Sequence, residues 1–452
     1  MDVHVFVGPT LTDDEVRAHR ADAIIHSPVE HGDLLALDVS SGDVVVIIDG
    51  YYHQRAPVRH KEILHLVDRG VTVIGCASMG ALRAAELWPC GMIGRGTIFS
   101  MYVDGTIDAD DEVAVAHLRG QGYEARNVPS VNIRHACTQA AEAGVISRDV
   151  ASDVIAAARG LHYTERSWRN VRLALTNRSQ SGQPYTDDPV STIVDFLHER
   201  PDVADLKRND ALDTLDAISE IARETGAHDG LGHWRNPHVY NWLPEFSGLN
   251  SAGGTGVSDA DVLRYRQIFE ADFPIRWQEF VLAEAASALG DAAPTEPERI
   301  AADTFRQIGA LDLVTDENPF VDVARYDINE LLVRTLVRSY QPPRGAHDVL
   351  RGVVDCPDTA RVREQISAAR KLNDTVLWRG KVRLVERLPH QRLRRHLCAT
   401  WQVADDDTDL LAAARDRGIP SVDEAVSMIR PYFLLDDVRA GSGIAQRWSV
   451  QR

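Results

Sequence analysis

Runs of β-branched residues alternate with helical spacing through the first ninety residues. Val3–Val7, Ala23–Ile25, Val44–Ile48 and Val71–Ile74 read as strands, the last buried on both faces. Thr12, followed by Asp13, Asp14 and Glu15, caps a short helix, and Leu34–Leu37 begins another. Val58, Ile63, Leu66 and Val67 fall on one helical face that Gly70 ends. From Met79 on, Ala81, Leu82, Ala84, Ala85 and Leu87 repeat the helical period. The order β-α-β-(α)-β-α-β-α with short connections predicts a three-layer α/β domain around a mostly parallel open sheet with flanking helices.

The pattern then changes. A Gly-rich stretch, Pro89 to Gly96, leads through Ile98–Tyr102 to an acidic turn, Asp104 to Glu112, and reads as a rim loop or lid. Ala-rich helical periodicity fills 134–177, with breaks at Gly144 and Gly160, before a linker-like run, Asn177 to Pro184. Helices are expected at 190–198 and 203–225, then a long loop over 228–259 that includes Trp234, Trp242 and Ser251–Gly256. Further helices are expected at 260–289, 297–309, 327–339, 357–373, 400–416 and 422–430. Residues 1–125 form the α/β core, 126–200 a helical extension of it, and 201–452 a mainly helical second half without a catalytic constellation.

Composition narrows the function classes. The 452 residues carry a formal charge of −18, which disfavours nucleic acid and suits a basic peptide or protein partner. No apolar run reaches the length of a membrane span, and the start is a strand rather than a signal sequence, so a cytoplasmic protein is expected. Cys76, Cys90, Cys137, Cys356 and Cys398 show no metal-site or disulfide spacing. Neither GxGxxG nor GxxxxGK[ST] occurs, so no nucleotide and no cofactor of its own is expected. The basic residues are nearly all arginine; lysine stands only at Lys61, Lys207, Lys371 and Lys381.

The candidate chemistry gathers where strands end. Ser78 falls at the turn from the Val71–Ile74 strand into the next helix, beside backbone N–H groups that no helical carbonyl satisfies. It reads either as an ordinary N-cap or as a nucleophile at the carboxyl edge of the sheet, where open α/β folds place their sites. Gly8-Pro9-Thr10 and Asp49-Gly50 leave neighbouring strands at the same edge. His60 is the nearest base, with Asp49 or Glu62 to orient it, and Lys61 is the alternative. Each has a plain structural reading as well: a locally bonded histidine, a turn aspartate, solvent-facing helix charges. Arg83 and Glu86 form either a surface pair or an inward-turned one. The acidic strip Asp108, Asp110, Asp111 and Glu112 is a solvated loop or a peptide-binding rim.

Several segments in this order resemble the TfuA family. They are Phe6–Thr10, Ile48–Tyr52, Val58–Leu64, Gly75–Glu86, Gly91–Gly94, Asp110–Ala114 and Val131–Arg134. Tyr51-Tyr52 stands where a Gly-Phe-type pair is more usual, and the second half is longer than the family's pattern. Ala77-Ser78-Met79-Gly80-Ala81 also resembles the motif around the nucleophilic serine of Clp-type proteases. The family resemblance implies a partner of a YcaO enzyme in thioamidation of ribosomally made peptides. That enzyme uses ATP and Mg, while the TfuA-like partner helps release sulfide from a thiocarboxylated, ubiquitin-like sulfur carrier; the precursor peptide is a further possible contact. On this reading Ser78 attacks the carrier's terminal carbonyl, His60 takes the proton, and the Met79 and Gly80 N–H groups face the oxyanion. Gly8, Pro9, Thr10, Arg83, Glu86, Met92, Gly94, Asp111, Glu112 and Arg134 complete the expected binding surface. The alternatives are a docking or activating subunit without chemistry and a general serine hydrolase.

Overall fold

Side-chain alternation along the first strand sets the layers. Val3, Val5 and Val7 join one hydrophobic cluster and Phe6 another; Val44, Val46 and Ile48 side with the former, Val45 and Ile47 with the latter. The computed structural model describes residues 1–51, 55–116, 123, 125–179, 187–225, 237–249, 256–290, 296–315, 327–341, 356–378 and 381–439. They divide into two units, Met1–Val239 and Tyr240–Arg452.

In the first unit β1 (Val3–Phe6), β2 (Ala23–His26), β3 (Val44–Ile47), β4 (Thr72–Gly75) and β5 (Ile93–Gly94) form one parallel sheet in the order β2-β1-β3-β4-β5. The chain steps outward from β1 to β2, then returns past β1 to β3. The carboxyl ends of β1 and β3 therefore flank the topological switch point, where such sheets bind ligands. Helix α1 (Asp13–His19) begins with a capping box between Thr12 and Glu15. Helices α2 (His60–Asp68) and α3 (Met79–Leu87) pack on the Phe6 side.

Contact between β4 and α3 is very close. A Cβ on Gly80 would lie 1.7 Å from the Ile47 carbonyl oxygen, and one on Gly75 would lie 2.2 Å from that of Gly80. The two glycines are thus accounted for by packing.

Two local expectations change. Leu34–Leu37 lies in turns and loop rather than a helix. The Gly-rich stretch is not simply a lid, because Ile93 and Gly94 pair with Ile74 and Gly75 as the fifth strand. A Cβ on Gly94 would meet the Phe99 ring at 2.0 Å, which seats the next helix, α4 (Thr97–Val103), against it.

Helices α5 (Ser130–Glu142), α6 (Arg148–Arg159), α7 (Trp168–Ser179) and α8 (Pro189–Glu199) share a second core built from Ile133, Val154, Val171, Ile193 and their neighbours. The next helix, α9 (Leu206–Thr225), returns to the sheet. Ala211, Leu215, Ile218 and Ile221 cover the Val5–Val46 face, and the Asp210 carboxylate accepts the Thr97 and Ile98 N–H groups at 2.9 and 2.8 Å. This places residues 201–225 with the α/β core, whereas the sequence pattern assigns them to the second half. Among the described residues α1 contributes only Val16 to that face, and α9 covers much of the rest.

The second unit is mainly helical, with one short antiparallel hairpin, Leu377–Trp378 and Val382–Arg383. The span 260–289 holds two helices, Asp259–Phe269 and Phe273–Leu289, the latter with proline in its first turn. The span 400–416 also resolves into two, His390–Trp401 and Asp407–Arg415. Gln402, at φ +56°, ends the first, and the Asp406 carboxylate caps the second. Trp277 and Trp401 are core residues. Within the expected 228–259 loop there is a helix, Pro237–Phe246, carrying a half-buried Trp242. Tyr52, Trp234 and the Ser251–Thr255 run lie outside the described residues, as does most of the linker before Pro184. Among the described residues no helix is long and apolar enough to cross a membrane.

Candidate functional site

Ser78 stands at the β4–α3 turn as its spacing predicts. The turn is tight: Ser78 N–H donates to the Cys76 carbonyl at 2.7 Å, and the intervening Ala77 is held at φ +62°. A non-glycine residue in that region costs on the order of 1 kcal/mol or more, a strain characteristic of functional turns. The Ser78 side chain, 8 % exposed, makes no capping bond, and among the described residues its hydroxyl has no hydrogen-bond partner. The ordinary-cap reading therefore has no bond behind it. Met79 N–H has no acceptor among the described residues, but Gly80 N–H donates to the Ile48 carbonyl at 3.2 Å. The helix start thus offers one free donor, not the expected Met79–Gly80 pair.

Asp49 holds a different part of the edge. Its carboxylate accepts the N–H groups of Gly8 and Thr10 at 2.9 and 3.0 Å and the Thr10 hydroxyl at 2.7 Å. It closes the β1 loop rather than orienting a histidine. Three donors fill the acceptor positions of one buried carboxylate. The Lys207 ammonium of α9 lies 3.9 Å away and is 3 % exposed. It donates to the Val113 carbonyl at 3.0 Å, and its backbone N–H meets the Asn132 side-chain oxygen at 3.3 Å. Burial pulls the Lys207 pKa down, with Asp49 and Asp205 opposing.

Beside this pair opens a cavity of about 370 Å³, lined by Pro9, Thr10, Asn132, Trp168 and Lys207 among others. Sequence reasoning missed Lys207 and Asn132. Lysine scarcity was the only signal for the former, and Asn132 gave none beyond lying in a segment of the family resemblance.

His60 does not reach Ser78. Its Nε2 lies 2.7 Å from Glu86 Oε2, which also accepts from Arg83 at 2.6 Å, on an exposed part of the surface. Glu86 is eight residues beyond Ser78, about 12 Å along the helix axis. Burial acts upward on the Glu86 carboxyl, but His60 and Arg83 outweigh it and hold its pKa below the ordinary value. Glu62 is committed elsewhere as well: fully buried, it lies 2.5 Å from His31 Nδ1 and accepts Gly32 N–H at 2.7 Å. Burial pushes its pKa up, against the pull of His31. Lys61 is half-buried, with no hydrogen bond or ion pair among the described residues. The proposed Ser78–His60–Asp49/Glu62 relay is therefore not assembled: each carboxylate serves a different loop.

The expected binding surface also divides. Met92 is a core residue against Gly75, and Gly94 is a strand residue under Phe99. Asp111 pairs with the buried Arg166, and Glu112 meets Arg134 at 3.4 Å and Arg159 at 3.5 Å. The acidic turn is thereby tied to the α5–α7 layer instead of forming an open rim. Cys76, near Ser78 in sequence, is fully buried, and burial pushes its thiol up to about 12, so it is no nucleophile at neutral pH. Among the described residues no three His, Cys, Asp or Glu side chains gather to hold a metal ion.

Residues 49–167 match the family model described as TfuA-like protein. The matched segment contains Asp49, β4, the Ser78 turn and the helices through α6; β1, its loop and α9 lie outside it. No curated protein matches the chain. The match supports a YcaO-associated accessory role in thioamidation.

Proposed function

We propose that this protein delivers sulfur to a YcaO-type enzyme during thioamidation of a ribosomally made peptide, releasing sulfide from a thiocarboxylated carrier at the Ser78 turn. The observation that carries the reading is that turn. A strained Ala77 presents an unbonded serine hydroxyl beside a free helix-start N–H, within the segment that matches the family. Among the described residues no base is bonded to Ser78, and the substrate's own sulfur can take the serine proton. A thiocarboxylate is an anion, so the serine oxygen bonds to its carbonyl carbon, the C–S bond breaks, and the serine proton leaves on sulfur as HS⁻. Water then hydrolyses the acyl-serine to a carboxylate and a proton. The Met79 N–H faces the oxygen that becomes charged.

The engaged Gly80 N–H favours a second reading, in which the unit activates the YcaO enzyme without chemistry of its own. Reconstitution separates them. Thiocarboxylated carrier is incubated with the purified protein, with and without the YcaO enzyme, and sulfide is measured. Release by this protein alone supports delivery by hydrolysis. Release only when the YcaO enzyme is present supports the activating role.

A further inference from the structure

Lys207 is buried more completely than its partners warrant. An ammonium has three N–H donors, yet the Val113 carbonyl is the one acceptor within hydrogen-bond distance among the described residues; Asp49, at 3.9 Å, compensates charge only. Leaving donors on a buried charge unfilled is costly. The neighbouring carboxylates are spent. Asp49 accepts three bonds from the Gly8–Thr10 loop, and Asp205 accepts the Asn132 amide and the Arg208 N–H at the start of α9. The cavity beside Lys207 has apolar walls in Val115, Trp168, Val194 and Leu197, and the α5 start at Val128 and Pro129 also lines it. That helix has no side-chain cap, so its positive end adds to the lysine's field. A volume of about 370 Å³ is near the lower limit for ligand sites and suits an end-group with a short stem rather than a nucleotide.

We propose that the cavity at the β1/β3 switch point binds the carboxylate end of an extended peptide tail, with the Lys207 ammonium donating to it and Trp168 flanking the stem. The site is distinct from the Ser78 turn. It rests on the sulfur-delivery reading only for the identity of the tail, which would be that of the carrier. A carboxylate supplies the acceptors that Lys207 lacks and forms charge-assisted bonds in a low-dielectric pocket. In the reaction sequence, the site would hold the carrier's carboxylate after sulfide has departed at the Ser78 turn.

The test is calorimetric titration of the intact protein with a short glycine-ended peptide, as its free acid and as its C-terminal amide. The acid should bind and the amide should bind weaker by about tenfold or more. Lys207→Met should remove that preference. Ala204→Phe, which leaves the lysine in place and fills the cavity wall, should abolish binding of both, with thermal melts of each variant as the folding control. Acid and amide binding alike, or an undiminished acid preference in Lys207→Met, overturns the proposal. Acetate competing as strongly as the peptide acid keeps the site but assigns it to a free small acid. Binding as predicted with no sulfide released from carrier leaves this site standing and defeats the delivery reading instead.

Discussion

The hydroxyl of Ser78 and the imidazole of His60 were a natural pair on paper, and the fold separates them. His60 begins α2, as the apolar spacing predicts, but its ring meets Glu86 on the exposed side of α3. Helical period tells where a helix begins and which face is apolar; it does not tell which residue of a facing helix a rim side chain will meet. Ser78 was legible for the opposite reason, since its position follows from local pattern alone: a β-branched run, small residues, then a helix. The strain at Ala77 was not legible, because an alanine gives no sign of a positive φ. The expected outcome for His60→Ala is sulfide release within about fivefold of the unmodified protein, because its ring bonds the exposed Glu86 and not Ser78. Initial rates of sulfide release check it. A loss of about a hundredfold would restore His60 to the role of base.

At the scale of elements, β1 and β2 carry an acid-sensitive pair. His4 Nδ1 and His26 Nε2 are 2.9 Å apart across the two strands, and His26 stacks on Phe6. Burial lowers the pKa of both, that of His26 to about 4 from 6.5. The unfolded chain therefore binds more protons than the folded one between those values. The stability His26 contributes is complete above 6.5 and is lost as the pH falls through about 4. Asp33 runs the other way: burial raises it to about 6, so the stability it contributes grows as the pH falls from there towards 3.8. Comparing thermal midpoints of the unmodified protein and His26→Gln from pH 7 to 4 isolates the histidine, because Asp33 is common to both. The unmodified protein should lose more of its midpoint on acidification; parallel curves would refute the assignment. The same strands illustrate what pattern reveals. β1 to β4 announce themselves as β-branched runs, whereas β5 has two residues, one of them glycine, and is a strand only because Ile74 and Gly75 offer it an edge.

For the whole molecule, the main difference lies in where the first unit ends. Composition and linker-like stretches suggested a break near residue 200. The apolar stripe of α9 looks the same whether it packs on a helical neighbour or on a sheet laid down two hundred residues earlier, and that long-range choice has no local signature. Lys207 was hidden by the same distance, since Asp49 and the β1 loop come to it only when α9 docks. A fragment ending at residue 200 should fail to fold, with Val5, Val46 and Ile48 uncovered, whereas Met1–Val239 should melt cooperatively; a cooperative melt for the shorter fragment would contradict this division. Sulfur delivery itself turns on one hydroxyl. The most direct measurement is sulfide released from thiocarboxylated carrier by the purified intact protein alone, with Ser78 or with Ser78→Ala, at matched folding by circular dichroism. The account predicts steady release from the former and background hydrolysis from the latter; a well-folded Ser78→Ala protein that releases sulfide at the unmodified rate would contradict it.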